Sequence, residues 1–164
     1  TFSHIDCSDG NCPAEVADAE LDECQRLAGE WGIRLKSFVF PGNLVGNLLS
    51  LKKHGFTSYR WHGKYELNVP RRDELGLWQI PGGVLWEKPA HWPVNGWVKA
   101  MQKCVDRALK TNAVLHFWFH PSCDPVNREA VFPRTLEYIA SHRGDWSGVT
   151  MGGLAEQLAL SETP

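Results

Sequence analysis

The sequence predicts an α/β fold in which parallel strands alternate with helices. Three observations carry this expectation. Amphipathic stretches at helical spacing take turns with short apolar runs, and most of those runs close on proline, glycine or histidine. The third observation is the apolar run over residues 113–119, interrupted only by His116, which is the pattern of a strand covered on both faces. Strand–helix–strand order implies right-handed crossovers, and in such folds ligand chemistry gathers at the carboxyl ends of the strands.

Each element follows in order. After a polar opening over residues 1–11, Pro13 reads as the first residue of a helix. Leu21, Cys24, Leu27 and Trp31 recur there at helical spacing, Glu15 and Asp18 suit the dipole of the first turns, and Gly32 stops it. Residues 35–40 form a short apolar run ended by Pro41, a buried strand by length and composition. Residues 44–53 carry Leu44, Val45, Leu48, Leu49 and Leu51 and stop at Gly55, a natural residue after a helix. Residues 56–61 and 75–80 read as strands, separated by a charged loop that includes Arg71, Arg72, Asp73 and Glu74. Residues 82–93 read as a loop around Trp86 and Trp92, and residues 94–109 as the clearest helix, with Trp97, Val98, Met101, Cys104 and Val105 on one face. The strand over residues 113–119 ends on His120-Pro121. A helix over residues 129–142, a brief strand over 146–150 and a terminal helix bearing Met151, Leu154, Ala155 and Leu158 complete the chain. No repeat or linker divides it, which predicts one domain over residues 1–164.

Length and composition narrow the function classes. One hundred and sixty-four residues can bury a substantial core, and 43% hydrophobic with 22% charged residues excludes disorder over most of the length. Seventeen basic against 19 acidic residues, a net charge of −2, argues against nucleic acid or an anionic membrane as partner. No run approaches the roughly 20 apolar residues of a membrane span. Five cysteines without a Cys-x-x-Cys pair do not read as a disulfide framework or a structural zinc site; Cys7 and Cys12 are the nearest two, and Cys24 and Cys104 read as small core residues. A first residue that is Thr rather than Met reads as the start of a processed, trimmed or incomplete chain, and the compartment, cytoplasm or cell envelope, stays open.

Polar or conformationally special residues occupy the expected strand ends. Pro41, Asn43, Arg60 and Trp61 lie there, and with Trp86 and Trp92 they are the candidate substrate-binding residues; the indole faces of Trp61, Trp86 and Trp92 suit stacking on a sugar ring. Trp31 and Trp97 fall on helix core faces. Of seven histidines, His54 and His142 sit in last turns of helices, and His116 reads as a hydrogen-bonded core residue. His120, at a strand's carboxyl end with Asp124 nearby, is the candidate proton-transfer group. His4, followed by Asp6 and Asp9, is the candidate metal ligand. No phosphate-binding loop, dinucleotide glycine fingerprint or Gly-x-Ser-x-Gly elbow is present.

Taken together, the segments Thr1-Phe2-Ser3-His4, Ser37-Phe38-Val39-Phe40-Pro41-Gly42-Asn43, His54-Gly55-Phe56-Thr57-Ser58-Tyr59-Arg60, Leu115-His116-Phe117-Trp118-Phe119-His120-Pro121 and Val149-Thr150-Met151-Gly152-Gly153-Leu154-Ala155 resemble, in order and spacing, the NodB-type polysaccharide deacetylases of carbohydrate esterase family 4. The resemblance implies an irregular (β/α) barrel, here lacking its first strands. It implies a metal-dependent hydrolase, with a divalent cation, zinc above others, that removes N-acetyl groups from an acetylated sugar or polysaccharide. His4 would be a metal ligand, with the companion histidine and the Asp-Asp segment of the family falling before Thr1. His120 would be the acid that protonates the leaving amine. Pro41 matches the proline of the family's Arg-x-Pro segment, whose Arg position holds Val39 here. A non-catalytic glycan-binding member of the same fold is the alternative. A third option is another (β/α) hydrolase on sugars that uses His120 and Asp124 as its acid–base pair.

Overall fold

Pro13 opens α1 (Ala14–Glu30) from the position just before the first helical residue, where its fixed φ is pre-set and its missing N–H leaves nothing unpaired. The structure, a computed structural model, describes residues 1–62, 67, 69–120 and 122–162. After α1 come β1 (Ser37–Phe38), a 3-10 turn over Pro41–Asn43, α2 (Leu48–Lys53) and β2 (Ser58–Trp61). Then follow β3 (Arg71–Arg72), β4 (Trp78–Pro81), β5 (Val84–Leu85), α3 (Val94–Thr111) and β6 (Phe117–Trp118). A π-helical turn over Asn127–Val131 runs into α4 (Phe132–Ser141), and α5 (Met151–Ser161) ends the fold.

The described residues gather into two compact units. The first comprises Thr1–His62, Pro70–Ile80 and Val149–Pro164; the second comprises Gly63–Val69 and Pro81–Gly148. The first holds a four-stranded sheet in the order β1-β2-β4-β3, with β1 parallel to β2 and β3 antiparallel to β4 at the edge. The second holds a two-stranded parallel sheet, β5 beside β6. Among the described residues the chain is therefore a mixed α/β structure with small sheets and no closed barrel.

Apolar burial explains each unit. In the first, Cys7, Leu21, Phe38, Phe40, Leu51, Phe56, Tyr59 and Leu77 form one core cluster, with Phe38 meeting Phe40 and Phe56 edge to face at 4.9 and 5.5 Å. A smaller cluster of Trp78, Ile80 and Ala155 seats α5, whose Met151, Leu154 and Leu158 pack against it. In the second unit Trp86, Val98, Met101, Cys123, Val131 and Phe132 make the core, which is the side of α3 that the helical periodicity selects.

Several expectations need correction. The strand over residues 113–119 shrinks to Phe117–Trp118, and residues 113–118 are half-buried rather than covered on both faces. No strand forms over residues 146–150, where Trp146 is exposed. The helix placed over residues 44–53 starts at Leu48, because Asn43 and Asn47 both take left-handed backbone that no helix interior accommodates. Arg71–Arg72 and Val84–Leu85 pair as strands where loops were expected. Trp31 is 81% exposed: it caps α1 outside the last helical turn and leaves the core face. Cys24 and Cys104 are half-buried, whereas Cys7, Cys12 and Cys123 are the buried cysteines. Pro121 lies outside the described residues. No helix among the described residues is long and apolar enough to cross a membrane.

Candidate functional site

In the second unit, strand register builds a histidine–carboxylate pair. Val84 pairs with Phe117 and Leu85 with Trp118, in parallel. Both chains run on in the same direction, so two residues beyond each strand Glu87 and His120 stand side by side at the carboxyl edge. Trp86 N–H donates to the Trp118 carbonyl at 2.8 Å and holds that register to its end. Glu87 Oε1 then lies 2.6 Å from both the backbone N–H and the Nδ1 of His120. One carboxylate oxygen thus fixes the His120 main chain and ring together. With Nδ1–H donated to Glu87, Nε2 is the nitrogen left to exchange protons, on a side chain that is 62% exposed while Glu87 is 23% exposed. The indole of Trp118 meets the imidazole edge to face at 5.5 Å and limits its swing.

Glu87 was not singled out from the sequence, and Asp124, which was, has another task. Asp124 Oδ1 accepts the Val126 N–H at 2.9 Å and its carbonyl accepts the Asn127 N–H, the capping of the turn that starts the next helix. The signal for Glu87 was its place just after Trp86 in a short apolar step, readable only once β5 is known to lie beside β6. His116 is half-buried with Nδ1 3.2 Å from the Pro81 carbonyl, in a hydrogen-bonded structural position.

The tryptophans divide. Trp86 is 7% exposed, stacked on Phe117 at 4.9 Å and tilted against Phe132 at 4.4 Å, so its faces are covered and it offers none to a sugar. Its position between β5 and α3 makes it the centre of the second core. Trp92 is 39% exposed and stands edge-on to Trp97 at 5.3 Å, which props it outward. In the first unit, Arg71 lies over the Trp61 ring, 4.8 Å from its centroid, so one face of that half-buried indole is already taken by a guanidinium.

The remaining candidates of the first unit do come together in part. Pro41 is buried at the start of the 3-10 turn that follows β1, and Asn43 ends that turn at φ 59°. Left-handed backbone aims the Asn43 side chain at β2, where Oδ1 accepts from Arg60 Nη2 at 2.6 Å. Arg60 is half-buried, and burial pulls its guanidinium below the ordinary value. Val39, at the position that the family resemblance gives to arginine, is exposed.

His4 is exposed and held at φ 57°, uncommon for a residue other than glycine or asparagine. Its neighbours fix it there: Ser3 donates to Glu20 through N–H at 2.7 Å and hydroxyl at 2.5 Å, and Ile5 N–H donates to Thr1 Oγ1. Asp6 and Asp9 are otherwise engaged. Asp6 accepts from Ser8 N–H and the Asn11 amide, bonds that hold its carboxyl below the usual range, and Asp9 Oδ1 accepts from Asn47 N–H at 2.6 Å. Among the described residues no three His, Cys, Asp or Glu side chains gather as a metal site. Among the described residues, His4 with its neighbours does not make up a metal centre.

His4, Pro41, Asn43, Arg60 and Trp61 belong to the first unit, and Trp86, Trp92, Glu87 and His120 to the second. Comparison of the chain with protein-family models, curated proteins and solved structures gave no match.

Proposed function

We propose that the chain belongs to a carbohydrate N-deacetylase of the metal-dependent kind, in which His120 delivers the proton that the leaving amine needs. The observation that carries this reading is the Glu87–His120 pair at the carboxyl ends of two parallel strands. Cleaving an acetamide breaks the C–N bond, and the sugar nitrogen departs as an amine only if it is protonated as the bond goes. An imidazole whose Nδ1–H is anchored on a carboxylate presents Nε2 for that task in a fixed direction. The near-neutral charge of the chain suits an uncharged glycan. Within the same unit as His120, the exposed Trp92 supplies an apolar face of the type that sugars engage.

In a chain extended upstream, a divalent metal would supply the polarisation of the acetyl carbonyl, with His4 as one of its ligands. The family resemblance gives His4 to that metal together with residues preceding Thr1. On that reading, residues 1–164 with added Zn2+ release little acetate from N-acetylglucosamine oligomers, and a chain extended upstream releases it. In the extended chain His120→Ala is expected to cost roughly 100-fold or more in kcat. Equal metal-dependent release by both chains, or no effect of His120→Ala, contradicts the proposal. The exposed Trp92 favours one second reading, a glycan binder without catalysis: it predicts oligomer binding that Trp92→Ala abolishes, with no acetate release from either chain.

A further inference from the structure

The first unit holds a pair of chemistry-bearing side chains that the reading above does not use. Cys7 and Cys12 are 3% and 4% exposed, and both are free thiols. Between them the chain turns back on itself: the N–H groups of Asn11 and Cys12 both donate to the Ser8 carbonyl, at 2.9 and 3.0 Å. Asp6 closes the outside of that turn through Ser8 and Asn11. From the other side one amide spans the two cysteines, Asn47 Nδ2 donating to the Cys7 carbonyl at 3.1 Å and to the Cys12 carbonyl at 2.9 Å. Two carbonyls that share one donor at those lengths are at most about 6 Å apart, which draws the two backbones to the scale a disulfide bridges. Gly46 lets this happen. A Cβ there would stand 2.6 Å from Cys7 O, Asp9 N and Ser8 Cα, so only glycine admits the opening segment so closely. Burial first, and then the neighbouring Cys12 sulfur, push the Cys7 thiol up to about 11, in keeping with two sulfurs near one another.

We propose that Cys7 and Cys12 are a redox-sensitive dithiol, which the fold holds ready to close into an intramolecular disulfide on meeting a disulfide oxidant such as oxidised glutathione. The exchange balances in two steps. The Cys12 thiolate attacks the oxidant's S–S bond and releases one glutathione as thiol. The Cys7 thiolate then attacks the mixed disulfide at Cys12 and releases the second, so two cysteine thiols are oxidised and one glutathione disulfide is reduced. The closed bond would tie residue 7 to residue 12 and lock the turn that Asn47 now holds by hydrogen bonds alone. This inference stands apart from the deacetylase reading, since it needs neither a metal nor a sugar.

The test is thiol–disulfide equilibrium in glutathione redox buffers, quenched by alkylation and read by peptide mass. Folded wild-type chain is expected to show a Cys7–Cys12 bond, two hydrogens lighter, with an effective concentration at least about tenfold above that of the same pair in concentrated urea. Cys24, Cys104 and Cys123 should stay reduced. Asn47→Ala should bring the folded value down toward the urea value, and Cys24→Ser should leave it unchanged. An effective concentration in the folded chain equal to or below that in urea overturns the proposal. So does a reaction that stops at mixed disulfides with glutathione, or pairs either cysteine with one of the other three. The wild-type comparison decides the matter even if Asn47→Ala does not fold.

Discussion

Thirty-three residues separate Glu87 from His120, yet one carboxylate oxygen reaches both the backbone and the ring of the histidine. Such a pair cannot be read from local spacing, because it exists only once β5 and β6 lie in register. His120 itself was legible, since a polar residue that ends an apolar run in an α/β chain marks a strand's carboxyl end. Asp124, the nearer carboxylate, was the wrong partner because a short acidic residue one step before a helix is claimed by that helix's N–H groups. His120 is largely exposed and Glu87 half-buried, so Glu87→Ala should cost about 1–2 kcal/mol of stability in urea titration. In a chain that releases acetate, the same substitution should slow kcat roughly tenfold with little change in KM, as expected when proton transfer loses its anchor. A stability loss several times larger would make Glu87 a structural residue only. The tryptophans give a matched contrast. Trp86→Ala, which empties the second core, should cost about 3–5 kcal/mol, and Trp31→Ala, on an 81% exposed ring, should stay within about 0.5 kcal/mol. Urea denaturation of both variants measures the difference.

Helices α1 and α3 were legible almost to their ends, because 17 and 18 residues give the 3.6-residue period several turns in which to show itself. The strands were legible as apolar runs but not as lengths. A two-residue strand leaves no alternation to read, and Arg71–Arg72 pairs with β4 while its guanidinium groups lie over Trp61 and Trp78. Glycine carries part of what periodicity misses. Gly83 sits just before β5 at φ 58°, and a Cβ there would run into the His116 carbonyl, which itself accepts the Val84 N–H at 3.0 Å. Gly83→Ala should therefore force β5 away from β6 at a cost of about 2 kcal/mol or more. Faster hydrogen exchange at the Trp86 amide, beyond any change at α3, is the expected local sign.

Charge is unevenly distributed over the molecule as a whole. Hydrogen bonds from Ser8 to Asp6, from Lys53 to Asp18, from Ser3 to Glu20 and from Arg26 to Glu23 hold all four carboxyls below their usual range, and all four belong to the first unit. A carboxyl depressed in the folded state adds stability above its unfolded value and loses it as pH falls through the folded one. Acidification should thus loosen the first unit before the second, which hydrogen exchange corrected for intrinsic rates can follow residue by residue; equal loss of protection in both units would contradict this. The same unit is discontinuous in the chain. Its sheet is finished by α5, through the contacts of Ala155 with Trp78 and Ile80 and the pairing of Glu156 with Lys36 and Glu162 with Arg72. A ribosome makes those residues after the rest of the sheet they cover. Trp78 and Ile80 therefore stay uncovered until α5 has been made, while every residue of the second unit has already been synthesised by Gly148.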